Sequence, residues 1–166
     1  MKQSSTPADG RPQALNVLAM LVDAPPSEGR RRNLRAVRGA HTAPELTVRR
    51  LLHRMGYRFR LHAKDLPGRP DIVFRRRRKA VEVRGCFWHR HPDPACRNAM
   101  LPRTRSAWWA EKLDRNVERD ARNLQRLRQG GWSVHVIWEC QLKGPSLKEG
   151  LTAFLGPVRT PNRPHG

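Results

Sequence analysis

The chain has few cysteines, no long apolar run and no secretion signal. Its three cysteines are an odd number of thiols, which fits a reducing cytosol better than a secreted disulfide scaffold. No segment approaches the run of about 18 apolar residues that marks a membrane span. The N-terminus lacks the charged-then-apolar pattern of a signal peptide. We therefore predict a cytoplasmic protein without a membrane partner.

Acidic residues are also scarce relative to basic ones. The chain carries 34 Lys and Arg against 14 Asp and Glu, a formal net charge of +20. Arginine, whose fork matches phosphate oxygens in two-point contacts, is concentrated in the runs 30–32 and 75–78. A basic proteome or a nonspecific tail would explain some of the arginine, but not these runs. The surplus predicts a polyanionic partner, and nucleic acid is the default one.

Size and composition predict one domain with flexible ends. A length of 166 residues corresponds to about one domain, and a hydrophobic fraction of 37% predicts a modest core. Residues 1–26 are rich in Pro, Ser, Asp and Gly, which predicts a flexible N-terminal extension. Residues 27–156 are the predicted folded domain, and residues 157–166 a flexible tail. We expect a monomer.

Hydrophobic periodicity predicts the order helix, three strands, helix, strand, helix. The first helix begins near Thr42, which has capping-box spacing to Glu45, and Gly56 closes it. Strands are predicted at 57–61, 71–74, 80–83 and 132–138, with the second and third forming a hairpin through the turn 75–79. The predicted fold class is α/β, a mixed central sheet flanked by helices.

Two further helices complete the predicted fold. The first spans 106–129 and is stopped by Gly130 and Gly131. Its apolar stripe consists of Trp109, Leu113, Val117, Ala121 and Leu124. The second spans 146–155, with Ser146 and Glu149 at capping-box spacing.

The segment 85–91 (GCFWHRH) combines soft metal ligands with aromatic side chains. Together with two later cysteines it offers three thiols and one imidazole, on Cys86, His91, Cys96 and Cys140. This set completes the tetrahedral shell of a structural Zn²⁺ ion and leaves no cysteine over. The alternative is that the cysteines are free and serve as small buried hydrophobes.

Acidic residues on the predicted hairpin indicate a second, harder metal site. Asp71 starts one strand, and Glu82 and Arg84 share a face of the next. Asp71 and Glu82 could meet as oxygen ligands for Mg²⁺, with Arg84 placed to stabilise charge on a phosphate. This arrangement resembles the core of the PD-(D/E)XK nuclease superfamily. The alternative is that these carboxylates simply face solvent.

Four separated motifs sharpen the resemblance. They are LPGRPD at 66–71, GCFWHRH at 85–91, NVERD at 116–120 and WEC at 138–140. In this order they resemble the very short patch repair (Vsr) endonucleases, over roughly two-thirds of the chain. The resemblance implies a PD-(D/E)XK-like fold with a structural zinc ion. It implies Mg²⁺-dependent nicking of one DNA strand at T:G mismatches left by deamination of 5-methylcytosine, with mismatch repair proteins as candidate partners.

The same resemblance implies roles for individual residues. Asp71 falls on the family's Mg²⁺-binding carboxylate, and the backbone carbonyl of Val83 on its second metal contact. His89 falls on the catalytic imidazole, although a third zinc ligand or a surface histidine is the alternative. Glu45 and Asp120 match polar positions near the family's active site, and for Glu45 helix capping is an equal contender.

Aromatic residues match the family's DNA-intercalating positions. Phe87, Trp88 and Trp109 fall on side chains that wedge into the base stack beside the mismatch. Mismatched steps are cheaper to open, so intercalation itself can discriminate. The alternative for Trp109 is packing in the core.

The sequence departs from the family at two positions that matter for catalysis. Arg84 stands where the family commonly has a histidine, so a fixed cation replaces an imidazole. Glu82 replaces an apolar position, and we predict that it is a second Mg²⁺ ligand. The insertion at 92–95 lengthens the gap between His91 and Cys96.

Two rival functions remain at this stage. One is a nicking nuclease of the same superfamily that has no preference for T:G pairs. The other is a non-catalytic, zinc-stabilised DNA-binding protein. Asp71 and His89 argue against the second, because a pure binder has no need of a Mg²⁺ carboxylate beside an imidazole.

Overall fold

The computed structural model describes residues 28–29 and 40–158. The predicted extension 1–26, the arginine run 30–32 and most of the tail 157–166 lie outside the described residues. The helices are α1 (Ala43–Arg54), α2 (Ser106–Gln129) and α3 (Ser146–Leu155), and the strands are β1 (Arg60–Leu61), β2 (Ile72–Phe74), β3 (Lys79–Arg84) and β4 (Ser133–Trp138). The predicted order of elements over this part of the chain is confirmed.

The four strands form one mixed sheet in the order β1-β2-β3-β4. β1, β2 and β3 are antiparallel neighbours, and Ile72 of β2 lies opposite Val81 of β3. β4 runs parallel to β3, with Val81 opposite His135. A parallel pair needs a long crossover, and the crossover here contains α2.

Helices cover both faces of the sheet. On one face, buried Ile72, Phe74 and Val81 pack against α1 and α3, which contribute the buried residues Val48, Leu52, Leu151 and Leu155. On the other face, Val73 and Ala80 pack with Leu127 of α2 and with Trp132. The alternation of β2 and β3 thus divides the core into two layers, and the predicted mixed sheet flanked by helices is confirmed.

The helix-end signals predicted from the sequence are confirmed for α1 and α2 but not for the start of α3. Thr42 caps α1, and the Thr42–Glu45 capping box is present as predicted. Gly130 is the C-cap of α2, and Gly131 has φ +74°, where glycine is favoured. The predicted capping box of α3 is wrong, because Pro145 is its N-cap and the Ser146 side chain makes no cap hydrogen bond.

Two further predictions are corrected. The first strand spans Arg60–Leu61 rather than 57–61, because Tyr57 is buried in the core and donates from its hydroxyl to the carbonyl of Gly156 at 2.6 Å. The predicted stripe of α2 is also displaced. Val117 is 39% exposed, whereas the polar Asp120 is buried. The predicted stripe contained only apolar residues, whereas the inner line of α2, the side of the helix that faces the sheet and the loop after β3, also includes polar side chains.

Part of the second arginine run has an internal role. Arg78 donates to the carbonyls of Gly130 and Gly131 at the end of α2. Arg77 donates to the carbonyls of Leu155 and Pro157 at 2.6 and 2.7 Å, at the end of α3. Helix C-termini carry unsatisfied carbonyls and partial negative charge. These two arginines therefore stabilise helix ends.

Within residues 28–29 and 40–158, no helix has the length and apolar character that crossing a membrane requires.

Arg78→Ala is expected to lower the free energy of unfolding by about 1–2 kcal/mol, because two carbonyls at the end of α2 lose a charged donor. Arg76→Ala is the matched control, since Arg76 is an exposed neighbour in the same run. Urea unfolding of both variants measures the difference. Equal stability of the two variants would contradict the capping role.

Candidate active site

Three side chains from separate elements meet at one end of the sheet. Glu45 lies in the first turn of α1, His62 just after β1 and Asp71 just before β2. One oxygen or nitrogen atom from each lies within 4.8 Å of those of the other two. Asp71 is anchored by the backbone N–H of Val83, which donates to its Oδ2 at 2.8 Å. The hairpin thereby fixes the position of the carboxylate.

Glu45 is 3% exposed and serves two purposes. Its carboxylate accepts from the backbone N–H groups of His41 and Thr42 at 3.0 and 3.3 Å, which completes the cap of α1. The same carboxylate forms an ion pair with Arg49 at 2.5 Å and lies 3.8 Å from His62 Nε2. Capping and membership of the acidic cluster, which the sequence presented as alternatives, therefore coexist.

Asp71 has an unusual acidity in this environment. Burial, together with the negative charges of Glu45 and Glu82, raises the pKa of Asp71 from 3.8 to about 6, against the lowering effects of the Val83 N–H and Arg49. Its side chain is 21% exposed. Two carboxylates held this close repel each other, and a bound cation relieves the repulsion. Their oxygen atoms suit a hard ion such as Mg²⁺.

Glu82 and Arg84 are paired with each other. Glu82 Oε2 accepts from Arg84 Nη2 at 2.6 Å and from Nε at 3.1 Å, and the guanidinium lies 6.0 Å from the centre of the Trp138 ring. Glu82 is outside the three-residue cluster around Asp71. Its role as a second Mg²⁺ ligand stays a prediction, while Glu45 is the carboxylate that the fold groups with Asp71.

The loop after β3 is tied to α2 through three consecutive residues. The carbonyl of Trp88 accepts from Asn116 Nδ2 at 3.1 Å, His89 Nδ1 lies 2.5 Å from Asp120 Oδ2, and Arg90 pairs with Asp114. The tethering side chains of α2 are all polar. This explains why the inner line of the helix did not appear as an apolar stripe.

Asp120 is suited to orient His89. Burial raises the pKa of Asp120, but the hydrogen bond and charge of His89 and the hydrogen bond from Arg119 outweigh it, so that its pKa lies below 3.8. The carboxylate is therefore ionised near neutral pH and can only accept. His89 Nδ1 must carry the proton between them, which leaves Nε2 of a neutral ring as an acceptor.

The three cysteines converge as the zinc hypothesis requires. The Sγ atoms of Cys86, Cys96 and Cys140 lie within 4.8 Å of one another, and His91 Nε2 lies 3.7 Å from Cys140 Sγ. Ligands of a tetrahedral Zn²⁺ at about 2.3 Å are roughly 3.7 Å apart. Burial and the neighbouring thiols raise the pKa of Cys86 to about 12. Without a cation Cys86 is therefore a thiol near neutral pH. Three sulfur atoms and one imidazole are a donor set that fits structural Zn²⁺.

Aromatic rings form a contiguous group beside the loop. The Trp109 ring contacts those of Phe87 and Trp88 in edge-to-face geometry, with centroids 5.1 and 6.1 Å apart. Trp109 is 7% exposed, whereas Phe87 and Trp88 are half-buried. Trp108 also packs against Trp109. The core-packing alternative for Trp109 thus describes its position in this structure.

Comparison with known proteins settles the family. Residues 22–96 match the family described as DNA mismatch endonuclease Vsr. The Type II nicking enzyme V.XorIIP of Xanthomonas oryzae pv. oryzae is 48% identical over 122 residues, which are 74% of this chain and 88% of that protein. DNA mismatch endonuclease Vsr of Escherichia coli is 40% identical over 132 residues, 80% of this chain and 81% of that protein. The chain belongs to the Vsr family.

Membership establishes the chemistry in broad terms. This Vsr-family protein is a DNA endonuclease that hydrolyses phosphodiester bonds, and its mixed α/β sheet is the sheet of a nuclease fold. A further relative, the Type II nicking enzyme V.NaeI of Lentzea aerocolonigenes, is 43% identical over 121 residues, 70% of each chain. DNA is therefore the substrate.

Sequence reasoning missed two members of the candidate site. Arg49 lies four residues after Glu45, which is ion-pair spacing on a helix and was a usable signal. His62 follows β1, the strand that pairs with β2, and its backbone N–H donates to the backbone carbonyl of Asp71 at 3.3 Å. Extending the predicted strand by one residue would have placed His62 opposite Asp71.

Asp71→Asn is expected to stabilise the protein at pH 7.5, without added Mg²⁺, by roughly 2–3 kcal/mol. The pKa of Asp71 is higher in the folded than in the unfolded protein. Its contribution to the free energy of unfolding is therefore complete below pH 3.8 and is lost as the pH rises to about 6. The neutral amide avoids this loss. Urea unfolding at pH 5 and 7.5 measures it.

Asp65→Asn is the matched control, because Arg75 lowers the pKa of this exposed carboxylate. The control variant should gain no stability at pH 7.5. If Asp71→Asn were no more stable than the wild-type protein at pH 7.5, the Asp71 carboxylate would not be destabilised by its surroundings.

Proposed function

We propose that this endonuclease uses Mg²⁺ to nick one strand at T:G mismatches that arise from deaminated 5-methylcytosine, which starts very short patch repair. The observation that carries the proposal is the pair of largely buried carboxylates, Glu45 and Asp71, held together in a chain of net charge +20. Arg49 compensates the charge of Glu45, and a bound cation would compensate the second buried carboxylate, that of Asp71.

Asp71 and the neighbouring backbone of Val83 are the proposed Mg²⁺ contacts, with Glu45 beside them. The hydrogen bond from the Val83 N–H to Asp71 places this stretch of β3 next to the carboxylate. When bound, Mg²⁺ polarises a phosphate and neutralises charge that develops on it. His62 is a nitrogen donor in the same group, and such donors are less favourable for Mg²⁺ than oxygen.

His89 is the proposed proton acceptor. Asp120 holds Nδ1 at 2.5 Å, so Nε2 can take a proton from water or hold a hydrogen bond to a phosphate oxygen. A histidine suits this task because its proton equilibrium lies near neutral pH. Arg84, occupied by Glu82, is proposed to contribute positive charge near the phosphate rather than proton transfer.

Zn²⁺ is proposed to have a structural role at the thiol cluster. Cys86, His91, Cys96 and Cys140 would hold it, which connects the loop after β3 to the segment after β4. No position would remain open for catalysis, as is usual in structural sites. The ion would fix the loop that carries both His89 and the aromatic residues.

The aromatic group is the proposed mismatch wedge. Phe87 and Trp88 are less buried than Trp109 and would enter the base stack, where a weakened T:G step is cheaper to open. Trp109 contacts both rings, and its burial supports a bracing role behind them. Mismatch repair proteins are proposed partners, with the enzyme acting as a monomer in the cytoplasm.

A cleavage assay on matched duplexes tests the proposal. Duplexes identical except for one T:G, T:A or C:G pair are incubated with the full chain, with or without Mg²⁺, and nicks are mapped. We expect one nick, in the T:G duplex with Mg²⁺ present. Asp71→Ala should abolish it, while the control Asp65→Ala should retain it. Equal cutting of T:A and T:G duplexes would favour a nicking nuclease without mismatch preference, and no cleavage anywhere would favour a pure DNA-binding protein.

Asp120→Asn is expected to lower the single-turnover nicking rate by about 10²–10⁴-fold, because an amide no longer fixes the tautomer of His89. DNA affinity should change little. The control is Glu149→Gln, the same chemical change on the exposed surface of α3. An Asp120→Asn enzyme that nicks at the wild-type rate would remove Asp120 from the mechanism.

A further inference from the structure

The acidic site contains a buried arginine and two histidines to which the proposed reaction assigns no role. Arg49, on the second turn of α1, is 7% exposed. Its Nη2 lies 2.5 Å from Glu45 Oε2 and 2.8 Å from His62 Nε2, and its Nη1 lies 2.8 Å from His41 Nδ1. One guanidinium thus contacts two imidazoles and a carboxylate of the candidate metal site.

The chemistry of the guanidinium fixes the protonation of His62. Arginine has only donors, so the ring nitrogen that faces it must accept. His62 Nε2 therefore carries no proton, and the proton of the neutral ring is on Nδ1. His62 Nδ1, the nitrogen that carries the proton, lies 4.0 Å from Asp71 Oδ1.

This arrangement costs folding free energy. Arg49 Nε is buried without a hydrogen-bond partner among the described residues. The backbones of His41 and His62 have φ values of 60° and 45°, in the left-handed region that side chains other than glycine seldom adopt. Such costs persist at sites where the resulting geometry is used.

The geometry points to Arg49 and His62 as positioning residues for the metal carboxylates. Arg49 holds Glu45 and sets the tautomer of His62, and His62 directs an N–H at Asp71. At 4.0 Å this contact is longer than a hydrogen bond, and a shift of about 1 Å by Asp71 closes it. Outer partners of this kind orient metal ligands and tune their affinity. The inference rests on the proposed metal site at Asp71.

Mn²⁺ binding to the full chain without DNA tests the pair independently of catalysis. Free Mn²⁺ is measured by electron paramagnetic resonance at constant zinc content. His62→Leu should weaken Mn²⁺ affinity by about 10–100-fold. His62→Gln should stay within about threefold of wild type, because its amide oxygen accepts from Arg49 while its nitrogen donates to Asp71. His135→Leu, at a half-buried histidine stacked on Phe154, is the matched control and should bind normally.

Arg49→Lys provides a second test, should His62→Leu fail to fold. It keeps the charge but replaces the fork with a single ammonium group, and its affinity should fall as in His62→Leu. Nicking rates at saturating DNA should follow the same order. Wild-type affinity in His62→Leu, or a loss in His62→Gln as large as in His62→Leu, would overturn the positioning role. A wild-type chain that binds no Mn²⁺ would overturn the metal site itself, which is a separate and recognisable result.

Discussion

The repulsion between two largely buried carboxylates, Glu45 and Asp71, is the constraint on which the site depends. Each is held by backbone donors: Glu45 by the N–H groups that begin α1, and Asp71 by the N–H of Val83. Arg49 supplies the positive charge inside the cluster. The same bonds that end a helix and position a hairpin therefore also build the acidic centre. Under the proposed Mg²⁺ binding, stability and cation affinity would be linked, because a cation would remove the repulsion that the fold maintains.

The second organising feature is the loop after β3, which is attached to the rest of the fold on two sides. On one side, Trp88, His89 and Arg90 bind three polar residues of α2. On the other, Cys86 lies beside Cys140, which follows β4. Since β4 is parallel to β3 and follows α2, the crossover brings both attachment points to the same end of the sheet. One topological choice thus places the imidazole, the thiols and the aromatic rings together.

Much of the fold was predictable because its signals are local. The bounds of α2 follow from apolar periodicity and a glycine stop, and the Thr42–Glu45 spacing predicts the start of α1. The missed features depend on distant partners. Arg78 looked like a phosphate ligand because its carbonyl acceptors are more than fifty residues away. Asp120 was predicted to lie near the site, yet its place on the inner line of α2 was hidden because that line is polar. His62 needed the β1–β2 register, which no local pattern specifies.

The central claim is that Asp71 is kept unusually basic until a divalent cation binds. Carbon-13 NMR of the aspartate carboxyl groups, assigned with Asp71→Asn, measures this directly in the presence and absence of Mg²⁺. The account predicts a pKa of about 6 for Asp71 without Mg²⁺, and a fall toward or below the ordinary range near 4 at saturating Mg²⁺. An ordinary pKa in the metal-free protein, or a raised value that Mg²⁺ leaves unchanged, would contradict it.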